Sequence, residues 1–313
     1  TPLITTNLYF EGVRSVLGSM RIGIAAIFTC LFFPLCGQEI KSPAQIVEEL
    51  GKTGRVILEN PEFKKRDSAN RHFTTLLKEY ISTEQGYRDP LKQVSNMLRL
   101  SEKNGEFHIY TWQMPDSTFT YRQYGLVAAQ TRRGVEVTEL EDKKSSLVEP
   151  EFRMLKAGDW YGAIYYDMVP VKKGRTTYYT LLGYVPGARI NRKVVDVMTL
   201  DGRGRPKFGA RIFHVEEFMD QVYRKAPMRL ILSYSGDYSA SVRWNPETEM
   251  VIMDHLVPPE PKMKGVYQLY GPDMSYDGLE WDDDWWYLRK EVEFNTGQHI
   301  PIVPPSKPTG LPP

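Results

Sequence analysis

Before residue 86 the apolar positions recur every three or four residues, and beyond residue 97 they alternate with a period of two. The first rhythm predicts helices and the second predicts β-strands. Ser42-Pro43-Ala44-Gln45 is a helix start, with a serine N-cap, proline at N1 and a glutamine able to close a capping box. Ile46, Val47 and Leu50 then share a face. Gly51 and Gly54 weaken the helix, and Asn60-Pro61 ends it. A second helix carries Ala69, Phe73, Leu76, Leu77, Tyr80 and Ile81 on one side, with Gly86 as its stop. Such a pair is expected to form a hairpin against one end of a β domain.

Runs rich in Tyr, Val, Ile and Thr follow. They are FHIYTW at 107–112, the stretch 121–129, VEVTEL at 135–140, and three runs between 160 and 200 joined by Gly- and Lys-rich turns. Residues 208–215 offer a further run, and residues 215–224 read as a short helix with Phe218, Met219 and Val222 on one side. Leu230, Leu232 and Tyr234 alternate with Arg229, Ile231 and Ser233, which, with Ile231 the one exception, predicts one buried and one solvated face. MVIMDHL at 250–256 and residues 266–270, 276–281 and 285–294 complete the series. The fold class expected is therefore mainly β: a long antiparallel meander preceded by an α-helical segment. A meander of that length closes or folds over into a sandwich, barrel or propeller-like sheet. No internal repeat recurs.

The start of the chain has a different character. Met20-Arg21 leads an apolar run at 22–35 and then Cys36-Gly37-Gln38, the plan of a secretory signal peptide and too short for a membrane span. The domain boundaries expected are 1–19 as an upstream or tag-derived extension, 20–37 as signal peptide, 38–90 as helical lead-in, 97–294 as β domain and 295–313 as a Pro-rich tail. Both cysteines, Cys30 and Cys36, lie in the leader, so the body has neither disulfide nor thiolate metal site and suits an oxidising compartment. Lipid anchoring at Cys36 is the alternative to simple cleavage near Gly37, but Phe33-Pro34-Leu35 is a poor lead-in for it. Net charge is +1 over 313 residues. The body has no electrostatic footprint for nucleic acid, and no transmembrane helix is expected in the mature chain.

The motifs are sparse. Gly51-Lys52-Thr53 lacks the upstream glycine of a phosphate-binding loop, because Ile46 stands there. His214-Val215-Glu216 lacks the cysteine ligands of a zinc deaminase, and the histidines 72, 108, 214, 255 and 299 are not at metal-ligand spacing. No metal or cofactor is therefore expected. Asp282-Asp283-Asp284 among Trp281, Trp285 and Trp286 reads as a solvated turn whose tryptophans enter the core, since it lacks the spacing of a calcium loop. The candidate binding residues are Asp254, His255, Asp273, Tyr276, Asp277 and Trp281. They combine carboxylates, an imidazole and aromatic faces at strand ends and turns. Neighbours in a strand face opposite ways, so Asp254 and His255 meet in one site only across a bulge.

WYGAIYY at 160–166, YYTLLGY at 178–184, KVVDVMTLDGRGRPKFG at 193–209 and MVIMDHLVPPEPKMKGVYQLYGPDMSYDG at 250–278, together with FHIYTW, resemble an uncharacterised family of exported proteins from Bacteroidota-type bacteria. The resemblance spans about residues 60–294. It implies export, to the periplasm or outer surface, and β architecture. It carries no assigned activity and transfers no catalytic residue. The reading is an exported binding or structural module of the bacterial envelope, with an envelope glycan or protein as partner. The alternative is a hydrolase of envelope polysaccharide or peptide using the carboxylates of Asp254, Asp273 and Asp277.

Overall fold

In the computed structural model, residues 41–116 and 120–293 are described. The leader, the upstream extension and the Pro-rich tail lie outside these residues. Helix α1 (Pro43–Glu59) begins at the expected capping box, with both reciprocal bonds between Ser42 and Gln45 present. Its glycines do not end it. Gly54 is buried, and a Cβ there would lie 2.1 Å from Asn96 Oδ1, so close packing at this point requires glycine. Helix α2 (Phe63–Ile81) starts earlier than its apolar spacing suggests, and Gly86 falls inside a short helix α3 (Glu84–Arg88) instead of stopping α2.

The first sheet is a four-stranded meander of β1 (Met97–Ser101), β2 (Phe107–Pro115), β3 (Tyr121–Thr131) and β4 (Gly134–Glu141). Tyr110, Trp112, Met114, Leu126 and Ala128 meet the helices. Phe107, Ile109, Val127 and Ala129 point the other way, into a second apolar layer. The helix pair thus covers the face of this sheet that points away from the second sheet. A strand covered on both sides reads as continuously apolar, which explains FHIYTW.

The second sheet contains β5 (Leu155–Lys156), β6 (Ile164–Lys173), β7 (Thr176–Val185), β8 (Ile190–Leu200) and β9 (Pro206–Phe208). After β10 (Phe213–His214), β11 (Glu217–Phe218) and β12 (Gln221–Val222) comes β13 (Leu230–Ser235), which pairs with β8. Strand β8 divides its two rows cleanly. Val194 and Met198 face the first sheet, and Val195 and Val197 face the third. That third sheet has the order β10-β17-β16-β15-β14, built from β14 (Val242–Asn245), β15 (Met250–Val257), β16 (Gly271–Asp282) and β17 (Trp285–Arg289). The result is a stack of helices and three sheets, with an apolar layer in each gap and no closed barrel. Most pairs are antiparallel, and β10 with β17 is parallel.

Three expectations change. Strand β13 is buried throughout, Ile231 and Ser233 included, because sheets lie on both sides of it. Residues 215–224 form the β11–β12 hairpin in place of a helix. Its turn residues Met219 and Asp220 have φ of 52° and 59°, which no right-handed helix accommodates. Residues 266–270 hold a 3-10 turn at Tyr267–Leu269 and not a strand.

Candidate functional site

The third sheet, the β11–β12 hairpin and the segment 258–264 enclose a cleft of about 370 Å³. Its apolar wall includes Phe218, Leu232, Met253 and Leu256, and its polar groups include Asp254, His255, Asp277 and Lys264. Apolar walls with a few convergent polar groups are the usual makeup of a small-ligand site.

Local backbone irregularity builds the polar part. The β15–β16 register runs evenly to the pair Asp254–Tyr276, then shifts between Asp254 and Leu256. Opposite, Met274 has φ 71°. Three residues of β16, Asp273–Ser275, stand opposite the single residue His255, so the extra residues lie on β16, and Asp254 and His255 both line the cleft. The imidazole Nδ1 lies 2.9 Å from Asp277 Oδ2. Asp277 is buried, at 7% exposure, and its other carboxylate oxygen accepts from the Glu291 backbone N–H at 3.3 Å. The Asp277 hydrogen bond raises the His255 pKa. Burial opposes this, the charges of Asp277 and Asp273 add to it, and Lys290 opposes it.

Asp254 is set differently. Burial pushes its carboxyl above the usual range, against the hydrogen bond from Ser241 and the charges of Arg243 and Lys193. The Ser241 backbone N–H donates to Asp254 Oδ2 at 2.7 Å. At the rim, Lys264 pairs with Asp220 at 3.1 Å and Lys290 approaches Glu217 at 3.9 Å.

Of the six candidate residues, Asp254, His255 and Asp277 line the cleft, while Asp273, Tyr276 and Trp281 do not. Asp273 accepts from the backbone and hydroxyl of Ser275 at 3.0 and 2.7 Å, an Asx-type turn of the kind that aspartate forms in any loop. Tyr276 pairs with Asp254 in the ladder, and Trp281 packs at the edge of the core against Trp286, 5.4 Å between ring centres. The Asp282–Asp284 run is a hairpin turn, with Asp283 and Asp284 at φ 42° and 67°. Sequence reasoning missed Phe218, Asp220, Lys264 and Lys290. Only the path of the chain brings them to His255, and no spacing announces that. Among the described residues no group of three or more His, Cys, Asp or Glu side chains is placed to hold a metal, and no helix is long and apolar enough to cross a membrane.

The His255–Asp277 contact has a measurable consequence. A histidine pKa raised on folding adds stability at pH values below the unfolded value of about 6.5, and loses it as pH rises through the folded value. The His255 ring proton is expected to titrate above 6.5 in an NMR pH series. In Asp277→Asn its midpoint falls to or below about 6.5, because burial and Lys290 remain. An unchanged midpoint in the variant would show that Asp277 does not set the charge of the imidazole.

No family model matches the chain, and no curated protein and no solved structure matches it.

Proposed function

We propose that the chain is an exported binding module of the bacterial envelope, and that its site is the cleft around His255 and Asp277. The ligand class is an envelope glycan or peptide. Export is supported by the charged start at Arg21, the short apolar run at 22–35 and the cysteine-free body. One observation carries the site: a buried carboxylate holds an imidazole in the wall of a cleft that also presents Asp254. Fixing a polar group inside an apolar wall reduces the ordering cost of binding.

A hydrolase is the second reading, favoured by Asp254 and Asp277 sharing the cleft. With Nδ1 engaged by Asp277, the Nε2 of His255 is the proton acceptor for a water, and Asp254, with its raised pKa, is the proton donor. Among the described residues no Ser, Thr, Cys or Tyr lines the cleft, so attack by a hydroxyl or thiol side chain is not part of this reading. Titration calorimetry against peptidoglycan fragments, envelope oligosaccharides and peptides tests both readings. Saturable binding that weakens about tenfold or more in Asp254→Asn, equivalent to roughly 1.4 kcal/mol, supports the site. Product formation in the same cell, abolished by His255→Ala, selects the hydrolase. An Asp254→Asn variant that binds like the wild type removes the cleft from the account.

A further inference from the structure

We propose that the β11–β12 hairpin is a latched flap that gates the cleft, an inference that rests on the cleft being the ligand site. The hairpin forms a two-stranded sheet of its own. Among the described residues, its backbone hydrogen bonds close within residues 216–223 and join it to no other sheet. Yet Glu217, Phe218, Met219 and Asp220 all line the cleft. This wall of the site is therefore held without the ladder that holds β15 and β16.

Side chains replace that ladder, and they come from the segment that also supplies Lys264 to the lining. Asp220 accepts from the Tyr270 hydroxyl at 2.7 Å and pairs with Lys264 at 3.1 Å. Gln221 Nε2 donates to the Tyr267 hydroxyl at 2.6 Å, and that hydroxyl donates to the Met219 carbonyl at 3.4 Å. Every one of these contacts reaches from the tip of the hairpin to residues 264–270, so they tie the hairpin to the segment that follows the cleft wall at 258–264. Beside the turn Phe218 is buried, at 5% exposure, and Met219 and Tyr223 pack against the core, while Asp220, Gln221 and Val222 are exposed. A hairpin held by side-chain contacts, with no backbone ladder to a neighbouring sheet, opens more easily than a sheet strand does. Opening the tip breaks the polar bridge without separating any sheet.

Acylation of histidine by diethyl pyrocarbonate, followed by peptide mass mapping, reads access to the cleft without any ligand. His255 in the cleft wall is the reporter, and His72 on α2, 53% exposed at its side chain, is the control. The His255 side chain is 35% exposed in the latched form, so Asp220→Ala is expected to raise its rate about twofold and leave His72 unchanged. Gln221→Ala, which alters no charge, is expected to raise it by a smaller factor. Hydrogen exchange on the same proteins is expected to quicken at 217–222 and stay constant across β15 and β16, which excludes general destabilisation. His255 rates equal to wild type in both variants overturn the gate. So does exchange at 217–222 as slow as in β15 and β16 of the wild type. Neither readout involves a glycan or peptide, so the gate and the ligand assignment fail separately.

Discussion

Arg229→Ala is expected to destabilise the fold by about 3–5 kcal/mol, the cost typical of removing one partner of a buried ion pair. Arg229 and Asp196 are both fully buried, with Arg229 Nε 3.0 Å from Asp196 Oδ1. Asp196 Oδ2 accepts from the Tyr165 hydroxyl at 3.0 Å, and that hydroxyl accepts from Trp160 Nε1 at 3.1 Å. Arg229 Nη1 also donates to the carbonyls of Pro150 and Arg153. One guanidinium therefore neutralises a carboxylate in the layer between the first and second sheets and ties down the 150–153 turn. Truncation leaves the carboxylate buried without its counter-ion and takes a donor from two part-buried carbonyls. An apolar replacement of both partners, Asp196→Leu with Arg229→Met, is expected to recover much of the loss, because no charge is then left buried. Urea unfolding of the two single variants and the double variant measures this. A loss below about 1 kcal/mol for Arg229→Ala would mean that water reaches Asp196.

Trp286→Ala is expected to cost about 3–5 kcal/mol, as large-to-small changes at aromatic core positions do. Trp286 is fully buried in the layer between the second and third sheets. Its Nε1 donates to Thr180 Oγ1 at 2.9 Å, joining β17 to β7 across that layer. Trp281 and Trp244 meet its ring edge-on, with centres 5.4 and 6.4 Å away. Trp286→Phe keeps most of the apolar volume and removes the donor, so about 1–2 kcal/mol is expected. If the two variants are equally unstable, the hydrogen bond and not the packing is what joins the sheets.

These two sites show how far the sequence could be read. Asp196 stands out as a carboxylate on the same strand face as Val194 and Met198, and a charge in that position calls for a buried partner. Nothing local names Arg229, because strand pairing between β8 and β13 brings the two together across an intervening hairpin. The helix start at Ser42 and the alternation of the strands were legible because both depend on neighbours within a few residues. The solvated face expected of β13 was not there, since burial on that side is supplied by a sheet far away in the chain. Phe218, Met219 and Val222 mimic a helical stripe, and the positive φ of Met219 and Asp220 has no glycine or asparagine to signal it. The cleft was half legible for the same reason. Asp254, His255 and Asp277 have the right chemistry, but the register shift opposite His255 and the cross-strand reach to Asp277 are set by the ladder. Asp273, Tyr276 and Trp281 share that chemistry and serve turn, ladder and core instead.

The most direct test of the account is calorimetric titration of the chain and its Asp254→Asn variant with the same envelope glycans and peptides, each protein first checked for an unchanged melting temperature. The account predicts saturable binding by the wild type and a loss of about tenfold or more in the variant. Equal binding by the two folded proteins would contradict it.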